Sequence, residues 1–122
     1  MPMDKSLLKE YGINYDEGLA RCMGDPAFYK TLLSIFLSDS AFTRAAEAYG
    51  AGDLNALFAC MHELKGASGT AAFTELYNAI CPLVELLRGK AAQADPAETD
   101  RLFDAVQTAY ARTCEGITKA LE

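Results

Sequence analysis

Apolar positions along this chain recur at the three-and-four spacing of amphipathic helices, and capping signals separate one run from the next. Residues 15–23 form a short first piece, with Leu19, Ala20 and Met23 on one side and Gly24 closing it. Asp25-Pro26 then supplies an N-cap with proline at the first helical position. Phe28, Leu32, Leu33, Ile35, Phe36, Phe42, Ala45, Ala46 and Tyr49 follow at helical spacing, predicting one long helix that Gly50-Ala51-Gly52 ends. Asp53 caps the next segment, whose stripe is Leu54, Leu57, Phe58, Met61 and Leu64 and which runs to about Ala72. Another helix starts near Phe73 and passes through Leu76, Ile80, Leu83 and Leu87, with a kink expected at Pro82. After a loop from Gly89 to Ala94, Asp95-Pro96-Ala97-Glu98 resembles a capping box. The helix it opens carries Leu102, Ala105, Val106, Ala109, Ile117 and Leu121.

No segment alternates with the period of two that a half-buried strand requires. The pattern therefore predicts an all-α protein, an antiparallel four-helix bundle with a short additional N-terminal helix over one end. At 122 residues the chain is expected to be one domain over 1–122, large enough to bury a core. Its 51% hydrophobic and 23% charged content is that of a soluble globular fold. No apolar run approaches the ~20 residues of a membrane span. Met1-Pro2-Met3-Asp4-Lys5 has no apolar stretch behind it, so a secretory signal is not expected and the location predicted is cytoplasmic.

The formal net charge of −6 argues against nucleic acid as a partner, because phosphate binding needs clustered Lys and Arg. Cys22, Cys60, Cys81 and Cys114 are widely spaced within apolar-patterned segments, and they read as buried reduced thiols. The acidic residues Asp53, Glu63, Glu75 and Glu85 read as a solvated surface.

One stretch breaks the helical rules. His62-Glu63-Leu64-Lys65-Gly66-Ala67-Ser68-Gly69-Thr70 holds the only histidine and two glycines, each costing about 1 kcal/mol against alanine in a helix interior. At about 100° per residue, Gly66, Gly69 and Lys65 share the face of His62, with Ala59 at its edge. The HExxH arrangement of zinc proteases is absent, with Gly66 where the second histidine would stand, and Lys65-Gly66 reverses the order of a phosphate-binding loop. Ser68 lies too far round the helix for His62 to activate it. A different chemistry fits, that of an imidazole accepting a phosphoryl group. Lys65 at i+3 supplies a cation, and Gly66 at i+4 keeps the approach to the ring low.

These residues resemble the HxLKG signature of histidine-containing phosphotransfer (HPt) domains. The upstream run Gly12-Ile13-Asn14, Gly24-Asp25, Tyr29, Leu32-Leu33 and Phe36 is similar to the first half of that family, so the resemblance spans about residues 12–120. It departs at Ala72, where the family usually has glycine, a small change that should be tolerated. The resemblance implies a phosphorelay intermediate in two-component signalling, with His62 taking a phosphoryl group from a receiver-domain aspartate and passing it to another receiver. It also implies that Lys65 stabilises the phosphoryl group and that Gly66 gives access. Phe58, Ala59, Gly69 and Phe73 lie near the same face and are candidate docking residues, since a receiver needs an apolar rim.

The partners implied are receiver domains of response regulators, including those of hybrid histidine kinases, with no role for a membrane. No cofactor or metal is expected on this chain, Mg²⁺ belonging to the receiver. The protein would be a phosphoryl carrier with no ATP-dependent kinase activity of its own, and a monomer suffices for its chemistry. Two alternatives keep the fold: a helical adaptor that binds a receiver or kinase without carrying phosphate, and the phosphotransfer domain of a larger histidine kinase. Gly69 could serve either packing or access.

Overall fold

Asp4, Asn14, Asp25, Asp53 and Asp95 each accept hydrogen bonds from backbone N–H groups of a first helical turn. Caps of this kind contribute about 1 kcal/mol each and fix where a helix begins. The computed structural model describes residues 3–89 and 91–122. The helices are α1 (Lys5–Glu10), α2 (Tyr15–Arg21), α3 (Pro26–Ser38), α4 (Ala41–Gly50), α5 (Leu54–Ala71), α6 (Thr74–Leu87) and α7 (Pro96–Leu121), with a 3₁₀ turn at Ala91–Gln93. Among the described residues there is no strand. Lys90, inside the loop expected over Gly89 to Ala94, lies outside the described residues, as do Met1 and Pro2 of the N-terminal reading. The predicted all-helical class holds.

Two helix assignments and one capping detail differ from the sequence pattern. The long helix expected from Asp25 to Gly50 is two helices, because Asp39 is extended (ψ 135°) and its carboxylate accepts from Ala41 N at 2.7 Å. Ser38-Asp39-Ser40 are residues whose side chains compete for backbone groups, and here they end one helix and start another. Helix α1 was not expected at all; its six residues bury only Leu8, too little for a periodic stripe. At the start of α7, Asp95 caps Ala97 N, but Glu98 pairs with Arg101 rather than reaching back to the cap. Pro82 lies within α6, which continues through it.

Helix α5 packs against α4 on one side and α6 on the other, and α6 packs against α7. The core between them is rich in rings. Phe36 meets Phe73 edge-on at 4.7 Å, while Phe42 stacks on Tyr110 at 4.1 Å and Tyr49 on Phe103 at 4.2 Å. On α3 the inward side chains are Tyr29, Leu33 and Phe36. Phe28 and Ile35, counted with the apolar stripe, each precede an inward residue by one position and so point about 100° away, 59% and 57% exposed. Met23 is 93% exposed. Cys22 and Cys60 are buried and Cys81 and Cys114 half-buried, all as free thiols. Burial pushes the Cys22 and Cys114 thiols above their ordinary pKa, which keeps them protonated.

The chain from Gly12 into α3 is joined to the turn between α5 and α6. Asn14 N donates to the Ala72 carbonyl at 2.9 Å, Glu75 N donates to Gly12 O at 3.1 Å, and the buried Tyr29 hydroxyl donates to Ala71 O at 2.7 Å. Ala72 itself caps α5 in the left-handed region, at φ 61°. Tyr29→Phe leaves the Ala71 carbonyl without that donor in a buried site, and should cost about 1–2 kcal/mol in urea unfolding. Stability within 0.3 kcal/mol of wild type would show that this bond does not hold the segment.

Candidate functional site

Helix α5 is two-faced. Leu57, Cys60, Met61, Leu64, Ser68 and Ala71 point inward and are buried. Ala59, His62 and Gly66 are exposed, and Lys65 and Gly69 are half-buried beside them. The low, open face anticipated around the imidazole is present. Asp53, accepting from Ala56 N at 3.1 Å, fixes where the helix begins, and the buried stripe turns this face outward.

The two glycines have different surroundings. A Cβ added at Gly66 would meet nothing within 4 Å, so neighbouring atoms do not require a glycine there. A Cβ at Gly69 would lie 3.3 Å from Tyr77 Cε2 and 3.5 Å from Cδ2, and the Gly69 carbonyl accepts a hydrogen bond from Arg21. Gly66 leaves space, whereas Gly69 lets the Tyr77 ring of α6 lie close against α5.

The predicted docking residues separate into two groups. The Phe58 ring is half-buried with its centroid 6.1 Å from that of His62, tilted by 47°, and the Arg88 guanidinium carbon lies 5.7 Å from the Phe58 centroid. Ala59 is exposed on the same helix. Phe73 does not belong with them. It is fully buried against Phe36 at the start of α6 and presents no surface to a partner. The shared angular position misled because α5 ends at Ala71, so Phe73 no longer follows its helical wheel.

His62, Lys65, Gly66 and Gly69 line a surface depression of about 630 Å³ together with Arg21 of α2 and Tyr77 of α6. Sequence reasoning missed Arg21. It stands 41 positions before His62, and its one legible signal was the i,i+4 pairing with Glu17, which the structure contains. Its guanidinium donates both to Glu17 and to the Gly69 carbonyl.

The acidic residues read as a solvated surface are exposed or half-buried, and three of them also pair with arginines. Glu63, next to His62, binds Arg44 of α4 at 3.1 Å and holds that guanidinium above its ordinary pKa by hydrogen bonding. Glu75 binds Arg112 at 2.8 Å and Glu85 binds Arg88 at 3.2 Å. The carboxylate beside the imidazole is thus already matched by a cation. Among the described residues, no group of three or more His, Cys, Asp or Glu is gathered as a metal site would be, and no helix is long and apolar enough to cross a membrane.

An exposed lone histidine, a lysine one turn on and open space over the glycine that follows it are what the family signature would require. The family model of the Hpt domain matches residues 31–116. The chain belongs to the Hpt domain family. The match takes in α4, α5, α6 and with them His62, Lys65 and Gly66, and begins within α3, so α1 and α2, with Arg21, lie outside it. Searches of curated proteins and of solved structures give no match. Hpt domains are phosphocarrier modules of histidine phosphotransfer in two-component signalling; they are not kinases, and they interact with receiver domains.

Gly66→Ala should stabilise the fold by about 1 kcal/mol, since the helix gains and nothing clashes. Gly69→Ala should gain less or lose, because the Tyr77 ring must give way. Equal gains in thermal or urea unfolding would remove the packing role from Gly69.

Proposed function

We propose that this protein is a phosphorelay intermediate in which His62 accepts a phosphoryl group from a receiver-domain aspartate and passes it to another receiver. What supports this reading most directly is the exposed His62 beside the empty space over Gly66, one helical turn on. In the forward step a ring nitrogen lone pair attacks phosphorus, the N–P bond forms, and the acyl phosphate P–O bond breaks to release the receiver carboxylate. In-line approach of this kind needs a clear path on the side of the ring facing the donor. Lys65 then faces the added negative charge, from i+3 on the same helix.

The receiver supplies Mg²⁺, and this chain supplies nucleophile, cation and docking face. Phe58 and Ala59 form the apolar part of that face, and Gly69 serves packing. The long helices are read as an antiparallel four-helix bundle in which α3 and α4 together make one member. The protein works as a cytoplasmic monomer.

The deciding experiment incubates the protein with phosphorylated receivers. Wild type should acquire an acid-labile, alkali-stable phosphate, and His62→Gln should acquire none. If wild type binds a receiver but takes no phosphate from any, the adaptor reading replaces this one. Clearance has its own check. Gly66→Leu should slow transfer at least about tenfold, a barrier change of about 1.4 kcal/mol, with its circular dichroism unchanged. Transfer at the normal rate would mean that the space over Gly66 is not an approach path.

A further inference from the structure

The depression beside His62 contains a second cation that the signature does not include. Arg21 ends α2, and its side chain crosses to α5, where it donates to the Gly69 carbonyl while also holding Glu17. Arg21, His62 and Lys65 line the same depression. A guanidinium has five N–H donors in a planar fork. These two bonds engage one donor on Nη1 and one on Nη2, leaving others free to bind a ligand. The side chain is 43% exposed, so a group in the depression can reach it.

Charge gives this arrangement a purpose. A phosphoryl group brings roughly 1.5 to 2 negative charges and three acceptor oxygens into a chain whose net charge is already −6. Lys65 offers one compact ammonium, whereas a guanidinium presents paired donors that match phosphoryl oxygens. Glu63 is occupied by Arg44 and Glu17 by Arg21, so the free imidazole faces no unmatched carboxylate from either. Gly69 lies about 10 Å beyond His62 along the helix axis, with Lys65 between them. Arg21 therefore waits at the far end of the depression on a long side chain that can turn.

We infer that Arg21 is a second phosphoryl-binding residue, held by Glu17 while His62 is free and exchanging Glu17 for the phosphoryl oxygens once His62 is phosphorylated. This rests on the phosphocarrier reading. Hydrolysis of the product breaks the N–P bond as water adds to phosphorus, and the ring nitrogen takes a proton as inorganic phosphate leaves. A guanidinium on the phosphoryl oxygens withdraws the negative charge that helps expel the ring, and so slows this loss. Glu17 tunes the effect by competing for the same cation.

The experiment loads His62 from phosphoramidate or a phosphorylated receiver, removes the donor, and follows phosphohistidine decay in the whole chain. Arg21→Ala should shorten the half-life about threefold, the scale of a partly exposed ion pair, Arg21→Lys should restore part of it, and Glu17→Gln should lengthen it. High salt should narrow these differences. Arg21→Gln keeps an amide donor for the Gly69 carbonyl but removes the charge, so it separates capping from phosphoryl binding if Arg21→Ala fails to fold. A lowered melting temperature with unchanged decay in Arg21→Ala or Arg21→Gln would reduce Arg21 to a helix cap and overturn the inference. Absence of phosphate on wild type would instead overturn the phosphocarrier reading beneath it.

Discussion

The end of α5 is where this fold is tied together. A helix terminus leaves carbonyls with no partner one turn ahead, and buried ones must find donors elsewhere. Ser68 O accepts from Phe73 N at 2.9 Å as the chain turns back. Gly69 O, Ala71 O and Ala72 O accept from Arg21, the Tyr29 hydroxyl and Asn14 N, all supplied by the segment running from α2 into α3. Those bonds join the first part of the chain to the helix that carries His62. They also bring Arg21 to the depression, so the same contacts that complete the fold determine which charges surround the imidazole.

The remaining face of α5 is arranged by subtraction. Its outward positions near His62 include Ala59, Gly66 and Ala67, while aliphatic bulk is concentrated inward at Leu57, Met61 and Leu64. The ion pair between Arg44 and Glu63 ties α4 to α5 directly beside the histidine. Exposed pairs of this sort add little stability. Their larger effect is local, because Glu63 no longer presents an unopposed negative charge beside the imidazole.

Much of this was legible in the sequence, and the failures have physical causes. Helix spacing and capping residues gave the all-helical class and the bounds of α5 and α7, since those helices are long enough for periodicity to accumulate. Helix α1 was invisible because a single buried leucine in six residues carries no period. The break between α3 and α4 was written in Ser38-Asp39-Ser40 but was outweighed by the apolar run on both sides. At the site, His62, Lys65 and Gly66 were readable because one helical turn places them together. Arg21 was not, because only tertiary packing brings α2 to α5. Phe73 was misplaced by extending a helical wheel past the residue where the helix stops.

That stop is Ala72, the position where the family usually has glycine. A left-handed alanine is strained by about 1–2 kcal/mol. Glycine would relieve the strain but lose about 0.5–1 kcal/mol to backbone entropy and a buried methyl worth about 0.8 kcal/mol. The two residues come out nearly even, so this site is free to drift between them without moving the histidine. A pattern search that insists on glycine ten residues after the histidine would pass over chains such as this one, whose turn is built from the same backbone angles with a different side chain.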